Sequence, residues 1–255
     1  MGVLNVTPDS FSDGGLYLDA EAAVAHAQEM TAEGAAIVDV GGESTRPGAQ
    51  PVPEREELER VIPVVERIAV DAEPTVSIDT RKLAVAEAAV QAGARIVNDV
   101  SAFRSDPGMA GLVASAGATC CLMHMLGDDP QTMQDDPRYE DVVSEVKAFL
   151  EERLAFAVSE GMPEGHVWLD PGIGFGKTVG HNLELIARLE EIAALGRPIL
   201  VGVSRKRFIG EFSADREAGT VAANVLAFER GASMFRVHDV APNAGALALA
   251  AATFR

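Results

Sequence analysis

Polar or charged residues stand at or beside the ends of the short apolar runs along this 255-residue chain. The earlier ones are mostly Asp and Asn, and the last ones are basic. Carboxylate and amide groups can satisfy the many N–H groups of a flat heterocycle, whereas Lys, Arg and His suit an anionic leaving group. This mixture predicts a site for a nitrogen-rich ring that carries phosphate. The residues are Asn5, Asp39, Glu43, Asp79, Asn98, Asp99, His124, Asp170, Lys206, Arg236 and His238.

The sequence contains partial matches to two nucleotide-binding motifs, but it completes neither of them. Gly176-Lys177-Thr178 resembles the end of a phosphate-binding P-loop, but the first glycine of that pattern would fall at Pro171. The glycines at 172, 174 and 176 miss the dinucleotide-binding spacing and indicate a tightly turned loop. The sequence has no zinc-ligand spacing. A Ser-His-Asp triad is not indicated either, because Ser204 lacks a nucleophile-elbow context and no serine partner is evident for His238.

The elements that must position these residues alternate along the whole chain. Eight short runs rich in Val, Ile and Leu are typical of buried parallel strands, and amphipathic stretches separate them. Eight such units without a dinucleotide fingerprint favour a single (β/α)8 TIM barrel over residues 1–255, although an open doubly wound sheet remains an alternative. The strand candidates are Gly2–Val6, Ala36–Val40, Thr75–Ile78, Arg95–Asn98, Thr119–Met123, Val167–Leu169, Ile199–Val203 and Ser233–Val237.

The helix candidates carry recognisable end signals. Asp19 is expected to cap a helix that runs to Gly34, and a helix from Arg81 should stop at Gly93. The others are 54–70, 107–117, 139–161, 182–195, 217–231 and 241–251. In a barrel the working residues lie at the carboxyl ends of the strands and in the loops that follow. Three long loops, 7–18, 41–53 and 125–138, are candidates for closing over a substrate.

The composition limits the kinds of ligand and the cellular location that we expect for this protein. The net charge of −18 argues against nucleic acid, and a phosphorylated substrate then needs concentrated basic residues or a metal ion. Cys120 and Cys121 are adjacent in an apolar run, where a mutual disulfide is geometrically poor, so we expect buried, reduced thiols. No window is long and apolar enough for a membrane span, and the amino terminus has no basic leader, so a cytoplasmic enzyme is expected.

Eight segments, in order, resemble the signature blocks of the dihydropteroate synthase family. They are MGVLNVTPDSFSDGG, DVGGESTRPGA, SIDTRK, NDVSA, LMHM, DPGIGFGKT, VGVSRKRFIG and RVHDV. The resemblance covers essentially all of the chain. It implies a pterin-binding TIM barrel that joins 6-hydroxymethyl-7,8-dihydropterin diphosphate to 4-aminobenzoate in folate biosynthesis and releases pyrophosphate. It also implies a homodimer that sulfonamides, as mimics of 4-aminobenzoate, inhibit.

The resemblance assigns roles to individual residues. The pterin ring would be bound by Asp79, Asn98, Asp170 and Lys206. The diphosphate would be held by Asn5, Arg236 and His238, with Mg²⁺ bridging Asn5 to the phosphate oxygens as a hard cation with oxygen ligands. The 4-aminobenzoate would be surrounded by Phe11, Thr45, Arg46, Pro47 and Phe175, with Asp13 acting from the first loop and Lys206 nearby. Asp13, Arg46 and Lys206 would be the catalytic residues.

One position departs from the family pattern, and two other functions compete. Arg207 stands where some members have a serine, and an arginine there can also meet the carboxylate of 4-aminobenzoate. A related barrel methyltransferase would use methyltetrahydrofolate and a corrinoid partner, but the diphosphate-facing residues argue against it. An inactive paralogue that only binds pterin is disfavoured by the complete set of site residues. His124 is interpreted mostly as packing at the barrel mouth.

Overall fold

The structure, a computed structural model, describes residues 1–7, 16–44, 50–71, 73–128 and 132–253. The strands are β1 (Gly2–Asn5), β2 (Ile37–Gly41), β3 (Thr75–Asp79), β4 (Ile96–Asp99), β5 (Thr119–Met123), β6 (Val167–Asp170), β7 (Ile199–Val201) and β8 (Ala232–Phe235). The helices are α1 (Leu16–Ala32), α2 (Glu54–Ile68), α3 (Leu83–Gln91), α4 (Gly108–Ser115), α5 (Val142–Ser159), α6 (Val179–Ala187), α7 (Leu189–Ala193), α8 (Arg216–Glu229) and α9 (Val240–Thr253). Short 3-10 helices span Glu164–His166 and Arg207–Glu211.

The eight strands form one parallel sheet in chain order, and the sheet closes on itself. Closure is made just beyond β8, where Val237 bridges to β1. The Val237 N–H donates to the Met1 carbonyl at 2.9 Å, and the Val3 N–H donates to the Val237 carbonyl at 3.0 Å. Sequential order with closure is the pattern of a (β/α)8 barrel. The predicted barrel is therefore confirmed, and the open doubly wound sheet is excluded.

The strands form where they do because their apolar side chains are covered on both faces. Leu4, Val38, Val40 and Ile78 are fully buried between the barrel interior and the helices. This burial explains the near-continuous Val, Ile and Leu content of the strands. All eight predicted strands are present, with bounds that differ by at most two residues.

Two helix predictions were wrong in detail. Helix α1 begins at Leu16, so Asp19 lies within its first turn and is not its N-cap. The single helix expected over 182–195 is divided into α6 and α7 at Arg188, whose φ of −119° lies outside the helical range. The Arg188 guanidinium bonds Glu184 and Glu191, one on each side of the break, at 2.7 Å. The broken geometry therefore lets one arginine join the two short helices.

The cysteine prediction is confirmed. Cys120 and Cys121 are buried and unpaired on β5. Burial raises the pKa of both thiols, which keeps them protonated and unreactive. Within the described part of the chain, no helix is long and apolar enough to cross a membrane.

Candidate active site

Three polar residues and one glycine lie side by side at the carboxyl edge of the barrel. The sheet register pairs Asn5 with Gly41, Gly41 with Asp79, and Asp79 with Asn98. A Cβ atom added to Gly41 would lie 3.9 Å from Asn5 Oδ1 and 3.7 Å from Asp79 Oδ2. The missing side chain at Gly41 therefore leaves room in which the Asn5 amide and the Asp79 carboxylate face a common space.

A buried hydrogen-bonded network joins the two sides of the barrel interior. One oxygen of Asp39, Oδ2, accepts from Arg236 Nε at 2.6 Å and from Asn98 Nδ2 at 3.0 Å. The guanidinium of Arg236 also donates through Nη2 to Asp79 Oδ2 at 2.7 Å. Asp39 is fully buried. Arg236 is thus held between two carboxylates, one on β2 and one on β3.

The electrostatics of this network favour a proton on Asp79 at moderately acid pH. Burial raises the pKa of Asp79 from 3.8 to about 7, although Arg236 acts in the opposite direction. The negative charge of Asp39 adds to the rise. Asp79 therefore titrates close to neutral pH, where a change of protonation alters what the residue can accept from a ligand.

A second group of residues surrounds the loop after β6. Asp170 is buried, and its Oδ1 accepts from the Gly172 N–H at 2.7 Å. The Lys206 ammonium donates to the Ile173 carbonyl and lies 4.6 Å from the centre of the Phe175 ring. Both contacts bring the lysine from the β7 side onto the glycine-rich loop. Strand order predicted that Asp170 and Lys206 share one mouth, and the family resemblance implied that Lys206 lies near Phe175.

Asp170 and Lys206 each oppose the pKa shift that burial causes in the other. Burial raises the pKa of Asp170, and the neighbouring Lys206 opposes that rise. Burial lowers the pKa of Lys206 to about 8, against the pull of Asp170. A Cβ added to Gly174, where φ is +85°, would lie 2.9 Å from Lys206 Cδ. Glycine at this position therefore allows both the backbone turn and the passage of the lysine side chain.

A buried lysine and histidine form a pair that the sequence did not predict. Lys177 Nζ lies 2.9 Å from His124 Nδ1 and 3.0 Å from the Phe175 carbonyl. Burial, together with the nearby charge of Lys177, lowers the pKa of His124 to about 2, so the ring is neutral and its Nδ1 can accept from the amine. Burial also lowers the pKa of Lys177. The glycine-rich loop is therefore fastened to the end of β5, and His124 does more than pack.

His238 has a serine partner that the sequence did not reveal. The Ser204 hydroxyl oxygen accepts from the His238 backbone N–H at 3.1 Å and lies 3.0 Å from His238 Nδ1. No serine partner was evident in the sequence, because only the barrel brings the ends of β7 and β8 together. Asn5 and His238 also line a cavity of about 750 Å³ with Arg205 and Asp239. Arg205 pairs with Asp239 through Nε at 2.9 Å, which adds an unforeseen cation beside His238.

Several predicted residues lie outside the described part of the chain. They are Phe11, Asp13, Thr45, Arg46 and Pro47. The segment just before three of them is firmly held, because Lys82 donates to both Glu43 and Glu57. Arg81 adds a bond from Nη2 to Glu43 Oε1 at 3.1 Å. The start of the β2–α2 loop is thereby fixed to α2 and to the end of β3.

Arg207, the position that departs from the family pattern, is exposed at the start of the 3-10 helix Arg207–Glu211.

The comparisons with known proteins agree in both sequence and structure. The family model for pterin binding enzymes matches residues 1–238. The dihydropteroate synthase of Mycobacterium leprae is 51% identical over 257 aligned residues, covering 97% of this chain and 90% of the relative. A Xanthomonas albilineans dihydropteroate synthase solved with 4-aminobenzoic acid superposes with a TM-score of 0.92 at 49% identity, covering 100% of this chain and 92% of that one.

A second Xanthomonas albilineans structure, in complex with 7,8-dihydropteroate, matches with a TM-score of 0.89 at 46% identity, again over 100% of this chain and 92% of that one. These similarities extend over the whole barrel, including every strand end described above. On this evidence the chain belongs to the dihydropteroate synthase family of pterin-binding enzymes.

Proposed function

We propose that this chain is a transferase that condenses 6-hydroxymethyl-7,8-dihydropterin diphosphate with 4-aminobenzoate to give 7,8-dihydropteroate and pyrophosphate. The observation that carries the proposal is the convergence of Asp79, Asn98 and Asp170 with Lys206 and Arg236 at one mouth of the barrel. Acceptors for a ring rich in N–H groups and cations for its other edges and its leaving group are both present.

In this proposal the pterin lies among the acceptors. The carboxylate of Asp170 can accept two parallel hydrogen bonds from an amino-pyrimidinone edge, much as a carboxylate does from a guanidinium. Asp79 and Asn98 offer further acceptors on neighbouring strands. Lys206 donates to the oxo and ring-nitrogen edge, and its pKa of about 8 leaves it mostly protonated at neutral pH.

Asn5, Arg236 and His238 hold the diphosphate in this proposal. The residues present fit a Mg²⁺ ion through Asn5, because its Oδ1 faces the space left open at Gly41 and oxygen is the ligand that Mg²⁺ prefers. No group of three or more His, Cys, Asp or Glu side chains that could hold a metal occurs among the described residues, and Asn5 is the residue that would hold the ion here. When bound, the ion would supply positive charge to the leaving group.

The chemical step exchanges one bond to the pterin methylene carbon for another. The carbon–oxygen bond breaks, and its electron pair leaves with pyrophosphate. The lone pair of the 4-aminobenzoate nitrogen then forms the carbon–nitrogen bond, and the nitrogen releases a proton. Carboxylates beside the ring, Asp79 and Asp170, stabilise the positive charge that develops on the pterin. Exclusion of water by the surrounding loops prevents hydrolysis.

The 4-aminobenzoate is assigned to the outer part of the mouth. Of the side chains proposed to surround it, Phe175 lies in the described part of the chain, and its ring lies beside Lys206. The remaining residues proposed here are Phe11, Thr45, Arg46 and Pro47, with Asp13, Arg46 and Lys206 as the catalytic residues. Sulfonamides, which resemble 4-aminobenzoate, are proposed to compete at the same place.

We further propose a cytoplasmic homodimer. The two buried thiols on β5 stay reduced most readily in a reducing compartment. Helices α8 and α9 pack against each other and expose Leu226 and Leu249, an arrangement that suits self-association through barrel helices. Sedimentation of the purified protein tests the dimer, and a monomer at micromolar concentration would contradict it.

Pyrophosphate release tests the proposed reaction. The purified protein is given dihydropterin diphosphate and Mg²⁺, with and without 4-aminobenzoate. Release that depends on 4-aminobenzoate and yields dihydropteroate supports the proposal. Asp170→Ala should lose pterin binding, whereas Arg46→Ala should keep it and lose turnover. Pterin binding without any turnover in the wild type would indicate a binding protein instead.

A further inference from the structure

The orientation of the Asn98 side-chain amide is fixed from behind by Asp39. Asn98 Nδ2 lies 3.0 Å from Asp39 Oδ2, and Asp39 is fully buried. A carboxylate oxygen can only accept, so the nitrogen of the amide, and not its oxygen, must face Asp39. Arg236 Nε donates to the same oxygen at 2.6 Å and holds the carboxylate in place.

The carbonyl oxygen of Asn98 is left for a ligand. Among the residues that the structure describes, none donates a hydrogen bond to Asn98 Oδ1. This oxygen also keeps access to solvent, unlike Asp39 Oδ1, which is sealed in the interior. Turning the amide over would expose an NH₂ group in place of the oxygen. The residue behind the amide, Asp39, thus determines whether Asn98 offers a hydrogen-bond acceptor or a donor to the ligand.

We propose that Asp39 is a specificity-determining positioning residue, which holds the Asn98 amide so that its oxygen accepts a hydrogen bond from the 2-amino group of the pterin. The inference rests on the proposed function, and it specifies that Asn98, at the end of β4, recognises the 2-amino edge of the pterin. Asp39 acts through Asn98 and touches no ligand itself. Without it, the amide can turn over and accept a ligand that carries an acceptor in the same place.

Paired ligands that differ only at position 2 test this role. The probes are 6-hydroxymethylpterin and its 2-oxo counterpart, 6-hydroxymethyllumazine, both without phosphate so that the contact between Asp39 and Arg236 affects neither through the diphosphate. Calorimetry gives the two dissociation constants for wild type and for Asp39→Leu. We expect the preference for the 2-amino compound to fall roughly tenfold or more in the variant, the usual effect of a donor facing a donor.

Two variants serve as controls. Asp39→Asn keeps an oxygen that can accept from both Asn98 and Arg236, so most of the preference should remain. Ser77→Ala alters the residue paired with Asp39 on β3, whose buried hydroxyl has no partner among the described residues, and should leave the preference unchanged. Equal weakening of both ligands in Asp39→Leu would show a structural role only and would overturn the proposal.

A measurement on the wild-type protein covers the case in which Asp39→Leu does not fold. The side-chain amide signals of Asn98, identified by their loss in Asn98→Ala, should include a proton that exchanges slowly with solvent because it is bound to the buried carboxylate. Rapid exchange of both protons would overturn the role of Asp39. If wild type binds neither probe although this proton is protected, the proposed function fails and the orientation of the amide stands.

Discussion

Replacing Asp79 with Asn should stabilise the fold most at alkaline pH. Burial raises the pKa of Asp79 from 3.8 to about 7, so the folded protein keeps a proton that the unfolded chain has already lost by pH 5. Stability from this group is therefore complete below pH 4 and is lost as the pH rises towards 7. Asn has no such titration, and it still fills the same volume beside Arg236.

The size of the effect follows from the shift. With one pKa unit worth about 1.4 kcal/mol, linkage gives a relative loss of about 3 kcal/mol for the wild type between pH 5 and pH 8. For a barrel of this size, that corresponds to roughly 6–12 °C in the melting temperature. Calorimetric scans of both proteins at the two pH values measure it, with Asp135→Asn, a change at an exposed carboxylate, as the matched control.

The melting temperature of wild type minus that of Asp79→Asn should become more negative by this amount at pH 8. A difference that is the same at both pH values would refute the argument that Asp79 titrates near neutral pH through burial. The variant should also bind pterin weakly, because the carboxylate is a proposed acceptor. A variant that is more stable but binds pterin weakly would show that the buried carboxylate of Asp79 lowers stability and contributes to binding.

Three further changes probe the same mouth. Gly172→Ala should destabilise the fold by about 3 kcal/mol or more, because the added Cβ would lie 1.7 Å from the His124 carbonyl oxygen at a φ of +66°; a normal urea midpoint would contradict this. Lys177→Met should raise the KM for 4-aminobenzoate several-fold while sparing pterin affinity, since Lys177 holds the Phe175 carbonyl, and steady-state kinetics would expose an unaltered KM. Excess chelator should abolish turnover and leave the melting temperature unchanged, and retained turnover would remove Mg²⁺ from the proposal.

The fold was predictable because its signal is local. Each strand is a short segment of 3–5 residues in or beside an apolar stretch, and a polar residue lies at or near its carboxyl end, which the barrel carries to its mouth. The break between α6 and α7 was not predictable, since the helical pattern continues across Arg188 and only a tertiary network marks the interruption. Local periodicity cannot report a change of backbone angle at one residue.

The placement of polar residues at the strand ends was predictable, but the contacts between them were not. Asp39 was recognised as a polar residue near a strand end, yet its partners Asn98 and Arg236 stand 59 and 197 residues away in sequence. The period of two places Asp39 on the same face of β2 as Gly41, which is the signal that could have pointed it into the barrel. Lys177 was compared only with a P-loop, so its contact with His124, 53 residues away, was missed.

The charge balance of the mouth bears on the need for a cation. Lys177, Lys206 and Arg236 there face the carboxylates of Asp39, Asp79 and Asp170, so the described groups come close to neutrality before any ligand arrives. Burial lowers the pKa of both lysines and raises the pKa of Asp79 and Asp170, so it favours the neutral forms of the cationic and the anionic groups alike. The cations already have partners: Arg236 is bonded to Asp39 and Asp79, whereas Lys206 and Lys177 donate to the carbonyls of Ile173 and Phe175. When a diphosphate enters this setting, in a chain of net charge −18, the Mg²⁺ ion proposed above would add positive charge beside the leaving group.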